Sequence, residues 1–200
     1  MTVKFTALEP EERASTVNEI FVCAHDDAVS LEYNDKMVSP QKVNHWAMYG
    51  QVNIGSTKSV KFDMAVGDGA GVTNPDAPQG LLEVSSLKSE MSERVVKYSV
   101  VNCKGTVTVD NLLSAILESG YDNYDFHETA TGCRYWTICT LEMLRDRGLI
   151  EGESTAVAIC AIAKSWNKGG MEYSPALPIQ EGTFHSNEGH STTNDHTPPP

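Results

Sequence analysis

The sequence predicts an α+β domain in which an antiparallel sheet packs against two or three helices. Three observations carry this expectation. Apolar and polar residues alternate with period two through residues 43–52 and 59–66, as in half-buried strands. Beyond residue 108 the apolar spacing changes to three and four, as on one face of a helix. The strand-like segments precede the helix-like ones, which favours α+β over a doubly wound parallel sheet. The chain has 200 residues, 40% of them hydrophobic, enough for one core. We divide it into an N-terminal extension (1–13), a single domain (14–174) and a tail (175–200).

Residues 19–24 form a short apolar run suited to a strand. In 43–52, Asn44, Trp46, Met48, Gly50 and Val52 share one face, with Val43, His45, Ala47, Tyr49 and Gln51 on the other. Gly55-Ser56 reads as a hairpin turn. After it, Val60, Phe62, Met64 and Val66 alternate with Ser59, Lys61, Asp63 and Ala65. A Gly- and Pro-rich loop spans 67–80, and 81–86 and 97–102 are further strands. Thr108 is an N-cap before Val109, Leu112, Leu113, Ile116 and Leu117, which share a helical face that Gly120 ends. A second helix is predicted over 133–147, between Gly132 and Gly148. Ser154 is expected to cap a third, with Ala156, Ile159, Cys160, Ala163 and Trp166 on its buried face. The tail holds five of the nine prolines, with His185, His190 and His196 among Ser, Thr, Asn and Gly. Few large apolar residues there can offset the entropy of ordering, so the tail is expected to be disordered.

Fifteen basic against 27 acidic side chains give a net charge of −12. That balance argues against nucleic acid as a partner, because phosphate binding needs counter-charge, and against an anionic membrane surface. No apolar window is long enough to span a bilayer, and the first residues lack the apolar centre of a secretory signal. The five cysteines are odd in number and irregularly spaced. They read as free thiols of a cytoplasmic protein, with Cys23, Cys103, Cys139 and Cys160 packed in the core. No paired-cysteine, H-E-x-x-H or EF-hand motif occurs, so neither a metal nor a cofactor is expected. The glycine-rich 67–71 lacks the spacing and the lysine of a phosphate loop. His25-Asp26-Asp27 offers metal ligands or an acid/base pair, but after a strand it reads better as a solvated turn.

The strongest constellation joins Cys133 and His45. A thiol directly after Gly132, where a helix begins, feels the positive end of the helix dipole and unpaired N–H groups. The same groups can hold an oxyanion. His45, on a rigid strand, can act as its base. If Trp46 pairs with Met64 across the hairpin, Asp63 lies on the face of His45 and can orient its ring; a one-residue slip turns it away. Arg134, Trp136 and Tyr49 are the candidates for contacts to a substrate. The alternative is a buried structural Cys133 with a hydrogen-bonded core histidine.

Asn44-His45-Trp46-Ala47-Met48-Tyr49 resembles the histidine strand of circularly permuted papain-like proteins, the lecithin retinol acyltransferase-like and NlpC-type group. Tyr124-Asp125-Phe126, followed by Gly132-Cys133-Arg134-Tyr135-Trp136, is similar to their cysteine segment, with Gly132 where they carry a polar residue. Over residues 20–166 the same blocks, with 59–64 and 108–124, also resemble an uncharacterised fungal family of unknown function. The first resemblance implies a permuted papain-like arrangement. It also implies a cysteine nucleophile for acyl transfer or amide/thioester hydrolysis on a small molecule or peptide, in a setting such as fungal small-molecule biosynthesis. Two other readings stay open: a non-covalent acid/base cyclase, and a non-catalytic binding module in which Cys133 is structural.

Overall fold

The computed structural model describes residues 3–5, 8–26, 32–33, 36–37, 44–67, 78–127, 132–173 and 178–185. In chain order these form β1 (Val3–Phe5), α1 (Pro10–Ala14), β2 (Thr16–His25), β3 (Glu32–Tyr33), β4 (Lys36–Met37) and β5 (His45–Ile54). There follow β6 (Thr57–Val66), β7 (Gly80–Leu87), β8 (Val95–Thr108), α2 (Val109–Glu118), β9 (Tyr124–Asp125) and α3 (Cys133–Asp146). The chain continues with α4 (Gly152–Ile162), β10 (Ser165–Trp166), β11 (Glu172–Tyr173) and β12 (Thr183–Phe184). Among the described residues the main sheet has the order β1-β7-β6-β5-β2-β8. The five strands from β7 to β8 pair antiparallel, and β1 joins the edge parallel to β7. This is the predicted α+β class.

Alternation in the strands decides what each face meets. Ile20, Val22 and Ala24 of β2, Trp46 and Met48 of β5, and Phe62 and Met64 of β6 are buried in one core with α2, α3 and α4. Removing each large side chain from water contributes roughly 1.5–3 kcal/mol. The opposite face is thinner. It carries a small cluster of Cys23, Ala47 and Tyr49, edged by Phe21, Leu87, Met91 and Val95, together with the polar side chains of the candidate site. The register pairs Met48 with Phe62 and Tyr49 with Lys61, which is the expected one. Gly55, at φ 55°, makes the turn between Ile54 and Thr57.

Thr108 caps α2 as predicted: its hydroxyl accepts the Asn111 N–H, and the Asn111 side chain accepts the Thr108 N–H. The third long helix differs from expectation. It starts at Gly152 after Glu151, and it buries Thr155, Ala158, Ala161 and Ile162. Ala156 and Cys160 are exposed, and Trp166 lies beyond the helix in β10. Small apolar residues occupy much of this helix's circumference, so periodicity does not select a face. Thr155 can be buried because its hydroxyl donates to Glu151 O at 2.6 Å.

Both predicted boundaries move outwards. β1 and α1, expected as an extension, belong to the structure, with β1 on the main sheet. On the far side, β12 pairs with β9, and Phe184 packs on Tyr121 and Tyr124 with ring centroids 4.3 and 4.8 Å apart. Residues 178–185 are thus part of the fold, not of a tail; 174–177 and 186–200 lie outside the described residues, as do 68–77 of the glycine-rich loop.

Candidate functional site

The site lies where two strands part. The β5–β6 register ends at Met48 and Phe62, although β5 begins at His45 and β6 runs to Val66. Beyond that point the Cys133 side chain meets the backbone of residues 44–46. Its Sγ is 3.8 Å from Asn44 O, and it takes a hydrogen bond from the Trp46 N–H. Gly132 makes this approach feasible. It sits at φ 145°, and a Cβ there would come within 2.6 Å of the Tyr124 hydroxyl oxygen. That hydroxyl donates to Gly132 O at 3.0 Å. Cys133 is the first residue of α3, whose first turn carries no acidic side chain, so the positive helix end is not neutralised locally.

The imidazole of His45 links Cys133 to Asp63. His45 Nε2 is 2.6 Å from Asp63 Oδ1, and the ring is also hydrogen-bonded to the Cys133 thiol. Lys61 Nζ donates to the other Asp63 oxygen at 2.8 Å. The side chains are 17% (His45), 8% (Asp63) and 22% (Lys61) exposed, and Cys133 is 9% exposed. Burial pushes the Cys133 thiol up, but the His45 hydrogen bond and charge, the Trp46 N–H and the Arg134 charge outweigh it and hold it below an ordinary thiol. Burial likewise opposes the imidazolium of His45. Its bonds to Asp63 and Cys133 prevail, so the ring binds its proton well above the usual histidine range. Asp63, despite burial, is held far below ordinary carboxylates by His45 and Lys61. All three shifts favour a thiolate, an imidazolium and a carboxylate in line. Cys23 shows what burial does alone: its thiol is pushed far up.

A cavity of about 360 Å³ opens beside this line on the thinner face of the sheet. His45 and Asp63 form part of its wall, with Lys61, Ser85, Ser92 and Arg94 around them. Tyr49 and His25 also line it, with the tyrosine hydroxyl 3.1 Å from His25 Nε2. Cys133 is not among the lining residues, so His45 stands between the sulfur and this space. His25, expected in a solvated turn, is buried and is the cross-strand partner of His45. Its neighbour Asp26 faces outward towards Lys168 at 3.7 Å, and Asp27 lies outside the described residues.

Two predicted substrate contacts are placed elsewhere. Trp136 is fully buried in the main core and donates to Tyr121 O at 2.7 Å; of the adjacent aromatics on α3, it is the one the core takes. Arg134 is buried as well, and its Nη2 donates to Pro178 O at 2.8 Å. It anchors the 178–185 segment and places positive charge beside Cys133. Tyr49 does line the cavity. Sequence reasoning missed Ser85, Ser92 and Arg94 and set His25 aside as a turn residue; Ser85 lies on β7 and Ser92 and Arg94 on the segment between β7 and β8, so no local pattern joins them to His45. Asn44 fastens the start of β5: its Nδ2 donates to His25 O and Trp166 O, and its Oδ1 accepts the Trp166 N–H. A second histidine–carboxylate contact, His185 Nε2 to Asp125 Oδ2 at 2.8 Å, braces β12 against β9. Among the described residues no group of three or more potential ligands is arranged to hold a metal ion.

No curated protein and no solved structure matches the chain. A family model described as a domain of unknown function, DUF7770, matches residues 20–185. That span runs from β2 to β12 and so contains His25, His45, Asp63 and Cys133 together with the 178–185 segment that Arg134 anchors. The chain belongs to the DUF7770 family.

Proposed function

We propose that the protein is a cysteine-nucleophile enzyme that transfers or hydrolyses an acyl group carried by a small molecule or peptide. One observation carries this reading: Cys133, at the start of α3, is hydrogen-bonded to a histidine whose Nε2 is 2.6 Å from a buried carboxylate. A thiolate at Cys133 attacks the acyl carbon. The tetrahedral oxyanion is met by backbone N–H groups of the first turn of α3. His45 gives its proton to the leaving group, and an acyl-enzyme forms. Water or an acceptor nucleophile then loses its proton to His45, attacks the thioester and releases the thiolate. Asp63 holds the ring in place and stabilises its charge. The order of histidine strand before cysteine helix, and the helix-start cysteine, suit the permuted papain-like resemblance.

A second reading is favoured by the position of the cavity, which His45 and Asp63 line and Cys133 does not. There, His45 acts as an acid or base on a non-covalently bound substrate, with Tyr49 across from it. Exposure to p-nitrophenyl acetate separates the two. The first reading expects an acetyl adduct on Cys133, located by peptide mass spectrometry and lost in Cys133→Ser. Failure to acylate Cys133, with selective iodoacetamide labelling also absent, would remove the nucleophile reading.

A further inference from the structure

Residues 44–46 form a cradle around the Cys133 sulfur. Sγ is 3.8 Å from Asn44 O, is hydrogen-bonded to the His45 ring and takes a hydrogen bond from the Trp46 N–H. Such a cradle is only as well placed as the strand that carries it. On the β2 side the β5 register runs on to His45–His25, but on the β6 side it ends at Met48–Phe62. The Asn44 side chain, 7% exposed, adds bonds at that point. Its Nδ2 donates to His25 O at 3.1 Å and to Trp166 O at 2.9 Å, and its Oδ1 accepts the Trp166 N–H at 2.6 Å. One amide thus ties the start of β5 to the end of β2 and meets both backbone groups of Trp166. Among side chains of this size an amide alone offers two donors and an acceptor in one plane; a carboxylate would turn an oxygen on two carbonyls, and a hydroxyl has one donor. Trp166 is itself fixed: its Nε1 donates to Ala161 O at 3.0 Å, and Lys97 Nζ lies 4.7 Å from its ring centre. Asn44 therefore braces the cradle against α4 and β8.

We infer that Asn44 is a positioning residue for the proposed reaction: by bonding His25 O and both backbone groups of Trp166, it holds the His45 ring and the Trp46 N–H against the Cys133 sulfur. Its side-chain bonds go to the backbone of other strands, so it acts on the sulfur through its neighbours. The inference rests on the nucleophile reading and adds to it the residue that keeps the thiol and its base in line.

The test is the pH midpoint of Cys133 alkylation by iodoacetamide in the full chain, read peptide by peptide, for wild type, Asn44→Ala, Asn44→Ser and Thr155→Ala. Thr155→Ala also removes a buried side-chain hydrogen bond, the one to Glu151 O on α4, and so controls for lost stability away from the cradle. Asn44→Ala should raise the midpoint by about one pH unit, a tenfold loss of thiolate at any pH below it. Asn44→Ser, with one donor in place of two, should raise it as well, and carries the test if Asn44→Ala does not fold. Thr155→Ala should keep the wild-type midpoint. A low wild-type midpoint retained by the folded Asn44 variants, or an equal rise in Thr155→Ala, would overturn the positioning role and leave the nucleophile reading standing. A wild-type Cys133 that alkylates no more readily than exposed Cys160 would instead remove the nucleophile reading, and this inference with it.

Discussion

Replacing His45 by alanine tests the electrostatic reasoning most directly. The variant removes the hydrogen bond and charge that hold the Cys133 thiol down, and leaves burial to act. Cys103 supplies the scale. Burial, with a smaller contribution from the Glu19 charge, pushes its thiol from 9.0 up to about 12. A comparable rise at Cys133 cuts the thiolate fraction at neutral pH about a thousandfold below that of an ordinary thiol. The more basic thiolate is more nucleophilic, and a Brønsted slope of about 0.4–0.5 restores roughly 15- to 30-fold. The Trp46 N–H and Arg134 remain and act in the opposite direction, so we take a tenfold or greater fall from the wild-type rate as the expectation. The assay is iodoacetamide alkylation between about pH 5 and 9, read peptide by peptide, with exposed Cys160 as the accessible thiol of the same molecule. In wild type, Cys133 should label well below the usual thiol range; in His45→Ala that preference should vanish. His45→Gln, closer in volume, guards against a packing artefact. Retention of the wild-type pH midpoint by both folded variants would refute the argument that His45 activates the sulfur.

Three further outcomes follow from the same structure. Asp63→Asn should lower the His45 proton affinity and cost about 3 kcal/mol by leaving charged neighbours of a buried carboxylate unpaired, measured by urea unfolding. Asp63 is depressed, so its contribution is present above the ordinary carboxylate value of 3.8 and fades as pH falls towards its folded value. His45 is raised, so its part is present below 6.5 and is lost as pH rises through its folded value. The difference between wild type and variant should therefore be flat from about pH 4 to 6.5 and shrink on the alkaline side. Gly132→Ala, which places a Cβ 2.6 Å from the Tyr124 hydroxyl at φ 145°, should cost about 2 kcal/mol or more and displace Cys133; an unchanged melting temperature and unchanged labelling would contradict this. Truncation after residue 177 removes β12 and the partner of Arg134. It should lower the melting temperature by several degrees, on the order of 2 kcal/mol for a domain of this size.

The hairpin was the most legible part of the sequence, for a physical reason. Trp46, Met48, Phe62 and Met64 must share one buried face, which the register pairing Met48 with Phe62 satisfies and a one-residue slip breaks. That register carries Asp63 to the side of His45 without further information. The start of α3 was legible through Gly132, whose neighbours Tyr124 and Phe126 leave no room for a side chain. The face of α4 was not legible, because alanine and isoleucine around the helix leave no amphipathic contrast, and the buried position includes a threonine. His25 was misread because its role depends on β2 lying next to β5, a pairing between segments about twenty residues apart that no local pattern encodes. The 178–185 segment was misread because composition reports the average polarity of a stretch, whereas a single aromatic, Phe184 against Tyr121 and Tyr124, suffices to fix it.

The cost of the charged line bears on why it exists. A cysteine that only fills space does well in surroundings like those of Cys23, where burial pushes the thiol up and keeps it neutral. At Cys133 the fold instead brings a histidine, a carboxylate and a lysine to the end of two parted strands, mostly out of water. Desolvating such groups costs several kcal/mol per ion, and apolar residues of similar volume often give equal or greater stability. Stability alone therefore gives little reason to keep Lys61, Asp63 and His45 in series with a helix-start thiol. A chemical role for the sulfur gives a direct one, since the same arrangement that makes the line costly also favours the thiolate. Exchanging Asp63 and His45 together for apolar residues weighs the two accounts. The double variant Asp63→Leu/His45→Leu should be at least as stable as either single variant and should lose selective Cys133 labelling; persistence of that labelling would mean that the helix end, and not the histidine, controls the thiol.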